Sequence, residues 1–496
     1  MKLSYETYLN KVKACWLGKN IGGTLGAPFE GKRGTFDVEY YTHDLSLGVL
    51  ANDDLDFQLV FLNAAEKYGK ALRSEHLAEF WTYLIPCNWS EYGAAKNNLK
   101  FGFLPPVTGI FKNAFKNSCG CFIRSELWAC LAPGHPEIAV RYAYEDGIVD
   151  HSEEGVYGEV FCAAIQSAAF VETDVNTLIE IGLSYIPSSC ALTKSVRLAQ
   201  DCYARKITWR EARREILMQF PDTFGLMRDE DKEGIPQGEI GYDVPANIAL
   251  MVMAWLYGEG DFSKSICIAA GCGEDADCTA GTLASILGIC FGTDCFGEKW
   301  LKPIGNDIKT ISIDRSSEFS IPTNVLTLTD RVAKLMPVFM HGYCEFEGGL
   351  TVLTNETLRQ TPTQTGFFEE KSFSEEIQSS FWTIKRETPA FNVGVALNSY
   401  EITAGEPLVL KVSLKNNLYQ QQWLKLFVLP KTIGFDGLYV ERYEMLEQYT
   451  AGHSHAQTEL TIPTEGLRSG KYEILFVAQS NQKIISVAIP LTFLVR

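Results

Sequence analysis

The sequence predicts an all-α domain over residues 1–340, followed by an antiparallel β-sandwich of the immunoglobulin-like kind over residues 388–496. Apolar residues recur at helical spacing in the first part, whereas alternating Thr, Val, Phe and Tyr follow Gly349. In addition, all fourteen cysteines lie between Cys15 and Cys344, so composition changes near the same boundary. A length of 496 residues is typical of two or three domains.

The helices are predicted from apolar spacing and from start and stop signals. Over residues 52–68, Leu55, Leu59 and Leu62 fall at i, i+4 and i+7, and Gly69 ends the pattern. The same reasoning predicts helices over 136–144, 160–170, 209–220, 245–257 and 262–270.

The strands are predicted from alternating apolar and polar residues bounded by turn residues. A polar segment over 361–375, rich in Glu, Gln, Ser and Thr, indicates a linker or extended arm, which we extend to residues 341–387. The predicted strands cover 408–416, 423–430, 456–463, 471–479 and 483–495, which favours a sandwich.

Charge and hydropathy exclude several classes of partner. A net charge of −17 and a pI near 5.0 argue against binding to nucleic acid or to an anionic membrane surface. The longest apolar runs, 248–257 and 285–291, are far shorter than the ~18 residues of a membrane span. The N-terminal stretch lacks the apolar core of a signal peptide, so we expect a cytoplasmic protein with reduced, mostly buried cysteines.

Two acidic clusters stand at predicted helix starts. The later one, in GCGEDADCTAGTLASILG, has Glu274, Asp275 and Asp277 within four residues. A helix N-cap accounts for one carboxylate, and three repel one another unless basic residues or a cation offset them. Between Asp261 and Glu298 the only basic residue is Lys264, so the cluster indicates a metal ion.

The earlier cluster also has more oxygen ligands than capping needs. It consists of Asn52, Asp53, Asp54 and Asp56 at the start of the predicted 52–68 helix. Carboxylate and amide oxygens are the ligands preferred by Mg²⁺ and Mn²⁺. The two clusters together therefore predict a shared metal site, with helix capping as the alternative explanation.

The helix after Asp277 is predicted to pack closely against another helix. Gly281, Ala284, Ser285 and Gly288 fall at i, i+3, i+4 and i+7, so one face consists of small side chains. Such a face allows a second backbone to approach.

These motifs, in this order, resemble those of the ADP-ribosylglycohydrolase family, of the dinitrogenase-reductase-activating type. The early T-D-D-T motif of that family corresponds to Asn52-Asp53-Asp54-Leu55, and its late G-D-T-D-T motif includes Asp275-Ala276-Asp277-Cys278. Three further segments are similar, over about residues 8–338 in all: GKNIGGTLGAPFEG with Glu30, SCGCFIRSELWACLAPGHPE with Ser118, Gly120 and Arg124, and DGIVDHSEEGVYGEVF with His151.

The resemblance implies an all-α hydrolase with two Mg²⁺ ions, or Mn²⁺, which cleaves the glycosidic bond at C1 of the terminal ribose of ADP-ribose. It implies that one of Glu30, Asp53 and Asp275 takes the proton of the attacking water. Its implied metal ligands are Asn52, Asp53, Asp54, Asp275 and Asp277, and its implied substrate-binding residues are Ser118, Gly120, Arg124 and His151.

The chain departs from the family pattern at three positions. Asn52 replaces a Thr, Gly23 replaces a frequent Asp, and Cys278 replaces a Thr that helps to bind a metal. A thiol is a poor ligand for Mg²⁺, so Cys278 favours Mn²⁺ or a water at that position.

The substrate-binding residues also have plainer explanations. Arg124 is a candidate phosphate contact, but pairing with Glu126 or capping of a helix explains it equally well. His151 lies in a polar stretch where a surface histidine is equally expected. Ser118 and Gly120 precede a predicted helix, whose N-terminus favours an anion, although loop turning explains them as well.

We therefore expect a metal-dependent hydrolase acting on ADP-ribosylated protein or an ADP-ribose-related molecule. The alternatives are hydrolysis of a small N-ribosyl or glycoside metabolite, and a non-catalytic ligand-binding or structural family member. The β-sandwich is a candidate surface for recognising a partner, covering the cleft or forming a homo-oligomer.

Overall fold

A computed structural model describes residues 2–220, 229–230, 236–237, 242–315, 319–340, 342–345, 351–353, 373–433, 435, 438–448 and 453–496. In the short ranges 229–230, 236–237 and 351–353 only the backbone is described. The chain divides into two compact units, one of Met1–Gly93 with Asn113–Gln378 and one of Ala94–Lys112 with Ser379–Arg496.

The first unit is helical, and the division between the units falls within α4. The described helices are α1 (Tyr5–Gly26), α2 (Asp53–Tyr68), α3 (Ser74–Leu84), α4 (Ser90–Phe101), α5 (Val107–Ile110), α6 (Ser125–Leu131), α7 (Pro136–Gly147), α8 (Glu154–Ala168), α9 (Val175–Ser184), α10 (Ala191–Ala204), α11 (Trp209–Gln219), α12 (Val244–Gly258), α13 (Phe262–Gly271), α14 (Ala276–Phe291), α15 (Gly297–Leu301), α16 (Val325–Phe339) and α17 (Phe373–Ser379). Of these helices, α5 belongs to the second unit, and α17 reaches the second unit at its last residue. Short strands complete the first unit, namely β1 (Lys2–Ser4), β2 (Asp229–Glu230), β3 (Pro236–Gln237), β4 (Cys344–Glu345) and β5 (Thr351–Leu353).

The core of the helical unit lies around α1, α8, α12 and α14, which are buried on nearly every side. Small residues allow these helices to pack tightly, and α1 and α14 approach each other closely along their glycines. Within the described residues, the structure contains no helix of the length and apolarity that a membrane span requires. All fourteen cysteines are free, and ten of them are buried.

The second unit is a β-sandwich. Its strands are β6 (Ile384–Glu387), β7 (Phe391–Leu397), β8 (Glu401–Ile402), β9 (Leu408–Asn416), β10 (Gln422–Pro430), β11 (Val440–Leu446), β12 (His455–Ile462), β13 (Gly470–Ser480) and β14 (Ser486–Val495). They form a sheet of order β11-β10-β13-β14-β8 and a sheet of order β12-β9-β7-β6. Every pair is antiparallel except β14 with β8.

Alternation along the strands builds the core of the sandwich. In β9, buried and more exposed residues alternate, with Leu410 and Val412 facing inward. Apolar residues of both sheets form one buried cluster, which also includes Phe103 and Val107 from the 94–112 segment. The helical domain followed by an antiparallel sandwich confirms the predicted fold class, while the immunoglobulin-like detail stays a prediction.

The predicted linker falls mostly outside the described residues. Of the polar segment 361–375, residues 361–372 are not described, and residues 373–375 belong to α17. Of the wider range 341–387, the described part also includes β4, β5 and β6.

Candidate active site

The close contact of α1 with α14 is the framework of the site. A Cβ atom on Gly18, Gly22 or Gly26 would overlap a backbone carbonyl oxygen of α14. These glycines are four residues apart, so they lie on one face of α1. The small-residue face predicted on α14 therefore does meet a second backbone, and the first turn of α14, with its two aspartates, lies against the end of α1.

The two aspartates of the late cluster are buried and are not used for capping. Asp275 is the N-cap residue of α14, but its side chain accepts no capping hydrogen bond. Its backbone N–H donates instead to Asn247 Oδ1 at 3.1 Å. The exposed fractions of Asp275 and Asp277 are only 3% and 4%, so both side chains are held out of bulk water.

Glu274, the third carboxylate, belongs to a separate ion-pair cluster. Its Oε2 lies 3.2 Å from Arg33 Nε, and its Oε1 lies 3.2 Å from Arg213 Nη2. Arg213 is fully buried and also donates from Nε to the carbonyl of Cys272 at 2.7 Å. The charge of Glu274 is therefore offset by arginines from distant parts of the chain, which the local sequence does not indicate.

The backbone of Glu274 positions the loop that contains Glu30. Gly31 N–H donates to the Glu274 carbonyl at 2.8 Å, and Glu274 N–H donates to the Lys32 carbonyl at 2.9 Å. This pairing brings the exposed Glu30 to Asp275 and Asp277, so that one carboxylate oxygen of each lies within 4.8 Å of the others. Such a spacing is suitable for a divalent cation.

Asn52 links the early cluster to the late one. Its Oδ1 caps α2 by accepting from Asp54 N–H at 2.7 Å, and its Nδ2 donates to Asp277 Oδ2 at 3.2 Å. Ligand atoms of Asp54, Asp277 and Cys278 also lie within 4.8 Å of one another. The two clusters thus meet at Asp277, and Asn52 presents its amide N–H, not its oxygen, to that residue.

Asp53 and Asp56 have different surroundings. Asp53 is half-buried, and the hydroxyl of Tyr92 donates to its Oδ2 at 3.4 Å. Asp56 Oδ2 accepts from the N–H groups of Ile311 and Ser312 at 2.9 and 2.5 Å and from the Ser312 hydroxyl at 2.7 Å. Asp56 therefore anchors a loop, which accounts for one carboxylate of the early cluster.

Lys19 of α1 provides a positive charge beside the early cluster. Its Nζ lies 3.2 Å from Asp54 Oδ2 and 3.2 Å from Glu126 Oε1, and it donates to the Thr282 hydroxyl at 3.2 Å. Lys19 is buried, with an exposed fraction of 2%. Sequence reasoning missed it, although a lone lysine in the run ACWLGKNIGG was a usable signal.

Burial and crowding raise the pKa values of the aspartates. The pKa of Asp275 rises to about 8 through burial and the nearby charges of Glu30 and Asp54. That of Asp277 is well above its usual range through burial, Asp54 and Glu30. That of Asp53 rises to about 7 through burial and Asp54. A cation would favour the ionised forms of all three.

Ser118, Arg124 and His151 lie in a buried network beside this cluster. Ser118 Oγ lies 2.9 Å from His151 Nε2, and His151 Nδ1 lies 2.9 Å from Asp150 Oδ1. Arg124 forms two hydrogen bonds to Asp150, of 3.0 and 2.7 Å, and its Nη2 lies 3.0 Å from Asp146 Oδ1. His151 is thus a buried residue, and Arg124 pairs with these aspartates and not with Glu126.

Residues that follow Ser118 in sequence connect this network to the acidic cluster. The thiol of Cys119, next to Ser118, lies near Asp275, and burial together with the charge of Asp275 raises the pKa of this thiol. Gly120 packs against the carboxylate of Glu91, which is buried close to His151 and Ser118. All of the residues predicted for the site therefore lie either in the acidic cluster or in this adjoining network.

The fold and the site define a helical protein with a buried, carboxylate-rich centre that is suited to a cation. The profile of the ADP-ribosylglycohydrolase family matches residues 4–336, and the chain belongs to this family. Membership of this family supports a glycohydrolase. No curated protein matches the chain.

Two solved structures are similar to parts of the chain. One, titled "ADP-ribosylglycohydrolase-related protein complex", is 15% identical, with a TM-score of 0.42, and the match covers 67% of this chain and 98% of that one. The other is the Pseudomonas fluorescens alkylpurine DNA glycosylase AlkC bound to DNA with an abasic site analogue. It is 10% identical, with a TM-score of 0.16, over 90% of this chain and 100% of that one. Neither likeness bears on function.

Proposed function

We propose that this chain is a metal-dependent hydrolase that cleaves the glycosidic bond at C1 of a ribose in an ADP-ribosylated protein or an ADP-ribose-related molecule. The observation that carries the proposal is the position of Asp277. Among the described residues its buried Oδ1 has no hydrogen-bond partner, and Asp277 belongs to both sets of residues whose ligand atoms are spaced suitably for a metal ion. Membership of the family supports a glycohydrolase.

The donor set fits a hard divalent cation. Glu30, Asp275 and Asp277 offer three carboxylates, and Asp54 lies beside them. Asp53 adds further negative charge nearby. When bound, Mg²⁺ or Mn²⁺ supplies positive charge that orients ribose hydroxyls and makes a water more acidic.

The carboxylates of the chain have two tasks in such a reaction. One of them accepts the proton of the attacking water, and Asp53, with a pKa of about 7, Asp275 and Glu30 are the candidates. Their negative charge also stabilises the cationic, oxocarbenium-like sugar that forms as the bond breaks. The hydrogen bond of the Asp275 backbone to Asn247 keeps its carboxylate in place during this change.

The adjoining network supports a role in positioning substrate. Ser118 and Gly120 lie on the segment that also holds Cys119 against Asp275. His151 orients the Ser118 hydroxyl, and Asp150 holds His151. Because Arg124 already has two buried carboxylate partners, we infer that it acts as a positioning residue for Asp150 and not as a phosphate ligand.

A substrate panel tests the proposal. The purified chain is incubated with Mg²⁺ or Mn²⁺ and ADP-ribosyl-arginine, ADP-ribosyl-serine, O-acetyl-ADP-ribose or simple ribosides, and released ADP-ribose or ribose is quantified. We expect turnover of an ADP-ribosyl compound and a loss of at least ~100-fold in Asp275→Asn.

Asp261→Asn is the matched control, because Asp261 caps α13 and is exposed. It should retain the wild-type rate. No turnover of any compound would reject the enzyme and favour a non-catalytic member of the family. Turnover of simple ribosides alone would reject the ADP-ribosyl substrate.

A further inference from the structure

Two groups of candidate metal ligands share Asp277, and these two groups are not equivalent. One consists of Asp54, Asp277 and Cys278, and the other of Glu30, Asp275 and Asp277. A two-ion site needs both groups to be open to a cation. Their partners among the described residues differ, and this difference bears on how many ions the chain binds.

The first group already has a permanent cation. The ammonium of Lys19 lies 3.2 Å from Asp54 Oδ2, at ion-pair distance, and the thiol of Cys278 donates to Asp54 Oδ1 at 3.3 Å. Asp54 Oδ1 thus accepts a hydrogen bond, and Asp54 Oδ2, which has no hydrogen bond among the described residues, faces the ammonium at ion-pair distance. A divalent ion bound to Asp54 would stand close to the ammonium, and because both side chains are buried the repulsion between them would be only weakly screened.

Lys19 is held in this position by the packing of its helix and by further partners. Gly18 and Gly22, on either side of it in α1, lie against the backbone of α14. Its ammonium is also held by the Thr282 hydroxyl of α14 and by Glu126. Glu126 in turn accepts from Gln58 Nε2 at 2.9 Å, so the partners of Lys19 are themselves fixed.

The second group has no such cation. No ion pair among the described residues reaches Asp275 or Asp277, and Asp277 Oδ1 is buried without a hydrogen-bond partner. The amide of Asn52 donates to the other oxygen of Asp277, which is a neutral contact. Negative charge is thus left uncompensated on the side of Glu30, Asp275 and Asp277.

We propose that the chain binds a single divalent cation, between Glu30, Asp275 and Asp277, and that the ammonium of Lys19 occupies the place of a second cation at Asp54. The inference rests on the proposed function in one respect, since both require a divalent cation. It goes beyond that function by stating that one ion binds and that Lys19 takes the place of the second ion.

Binding of Mn²⁺ to the purified, chelator-treated chain tests this inference without reference to activity. Equilibrium dialysis should give one Mn²⁺ per chain at saturation, and electron paramagnetic resonance should show an isolated ion without the lines of a coupled pair. Two Mn²⁺ per wild-type chain, or a coupled spectrum, would overturn the inference and leave the proposed hydrolase intact. No bound Mn²⁺ would overturn both.

Substitution of Lys19 tests its role directly. Lys19→Gln removes the charge, and we expect the stoichiometry to rise to two Mn²⁺ with a coupled spectrum, whereas Lys19→Arg should still bind one. Lys11→Gln is the matched control, because Lys11 is on the same helix but donates to the carbonyls of Ala169 and Cys290. A folded Lys19→Gln chain that still binds one ion would refute the role given to Lys19, and the wild-type stoichiometry tests the inference even if that variant fails to fold.

Discussion

Arg213 Nη2 lies 3.2 Å from Glu274 Oε1, and both side chains are almost completely buried. Through this ion pair the carboxylate of Glu274 belongs to a different cluster from the carboxylates of Asp275 and Asp277, which follow it in sequence. Through its backbone, Glu274 also holds the 31–32 segment and with it Glu30. Glu274, which lies outside the proposed cation site, thus fixes the position of Glu30, which we place in that site.

Arg213→Met should lower the free energy of unfolding by about 3 kcal/mol, because it leaves a carboxylate buried with only part of its compensation. Urea denaturation measures the change. Arg197→Met is the control, since Arg197 pairs with Glu180 at the surface, and it should cost at most about 1 kcal/mol. Equal losses in the two variants would contradict the structural role given to Arg213.

Gly22→Ala should destabilise the chain, because the added Cβ would overlap a backbone carbonyl of α14. We expect a loss of about 1–3 kcal/mol from overpacking, together with weaker Mn²⁺ binding as α1 moves away from α14.

Gly281→Ala provides the control on the other helix. A Cβ there meets its nearest neighbours at 3.4 Å, an ordinary contact, and alanine favours a helix over glycine by about 1 kcal/mol. This variant should be as stable as the wild type or more stable. Thermal unfolding compares the two, and a Gly22→Ala chain as stable as Gly281→Ala would refute the close packing of α1 on α14.

The cation-free chain should lose stability as pH rises. The folded pKa values of Asp275 and Asp53, about 8 and about 7, lie above their ordinary value of 3.8. Between about pH 4 and pH 8 the folded chain therefore binds protons that the unfolded chain does not, and the free energy of unfolding falls across this window.

Thermal unfolding in chelator between about pH 5 and pH 8 measures this effect. Asp275→Asn should flatten the dependence, because the amide does not ionise. Mn²⁺ should raise the unfolding temperature more at about pH 8 than at about pH 6, since it competes with protons for the same carboxylates. A cation-free chain whose stability rises over this range would contradict the assignment.

Arg124→Lys should affect the fold more than the affinity for substrate. Lysine cannot reproduce the two parallel hydrogen bonds to Asp150, whose pKa is lowered to about 2 by Arg124 and His151 against the effect of burial. We expect a loss of about 1–3 kcal/mol in the free energy of unfolding. A stable variant with a raised KM alone would instead support a phosphate contact.

Much of the fold was predictable from local patterns. The helix predicted over 52–68 is α2 with Asn52 as its N-cap, and the strand predicted over 408–416 is β9. The helix predicted over 160–170 begins earlier, at Glu154 of α8. The Ala94–Lys112 segment joins the second unit by long-range packing of Phe103, which apolar spacing does not show.

The sequence pointed to a group of candidate site residues but not to the charged residues that pair with them. The family resemblance implied that Glu30 lies at the same site as Asp275 and Asp277, and the structure brings these residues together, while their roles stay a prediction. The partners of the carboxylates come from residues 19, 33 and 213, far away in sequence. Ion pairs of this kind depend on the packing of α1 and α11, which no local pattern determines.

The cation dependence of hydrolysis tests the central claim most directly. Release of ADP-ribose from the best substrate of the panel is measured for wild type and Asp277→Asn after complete chelation and after return of Mg²⁺ or Mn²⁺. We predict that chelation lowers the wild-type rate by at least ~100-fold, that the cation restores it, and that Asp277→Asn is not restored. A chelated wild-type chain that keeps its full rate, or an Asp277→Asn chain that recovers like the wild type, would contradict the account.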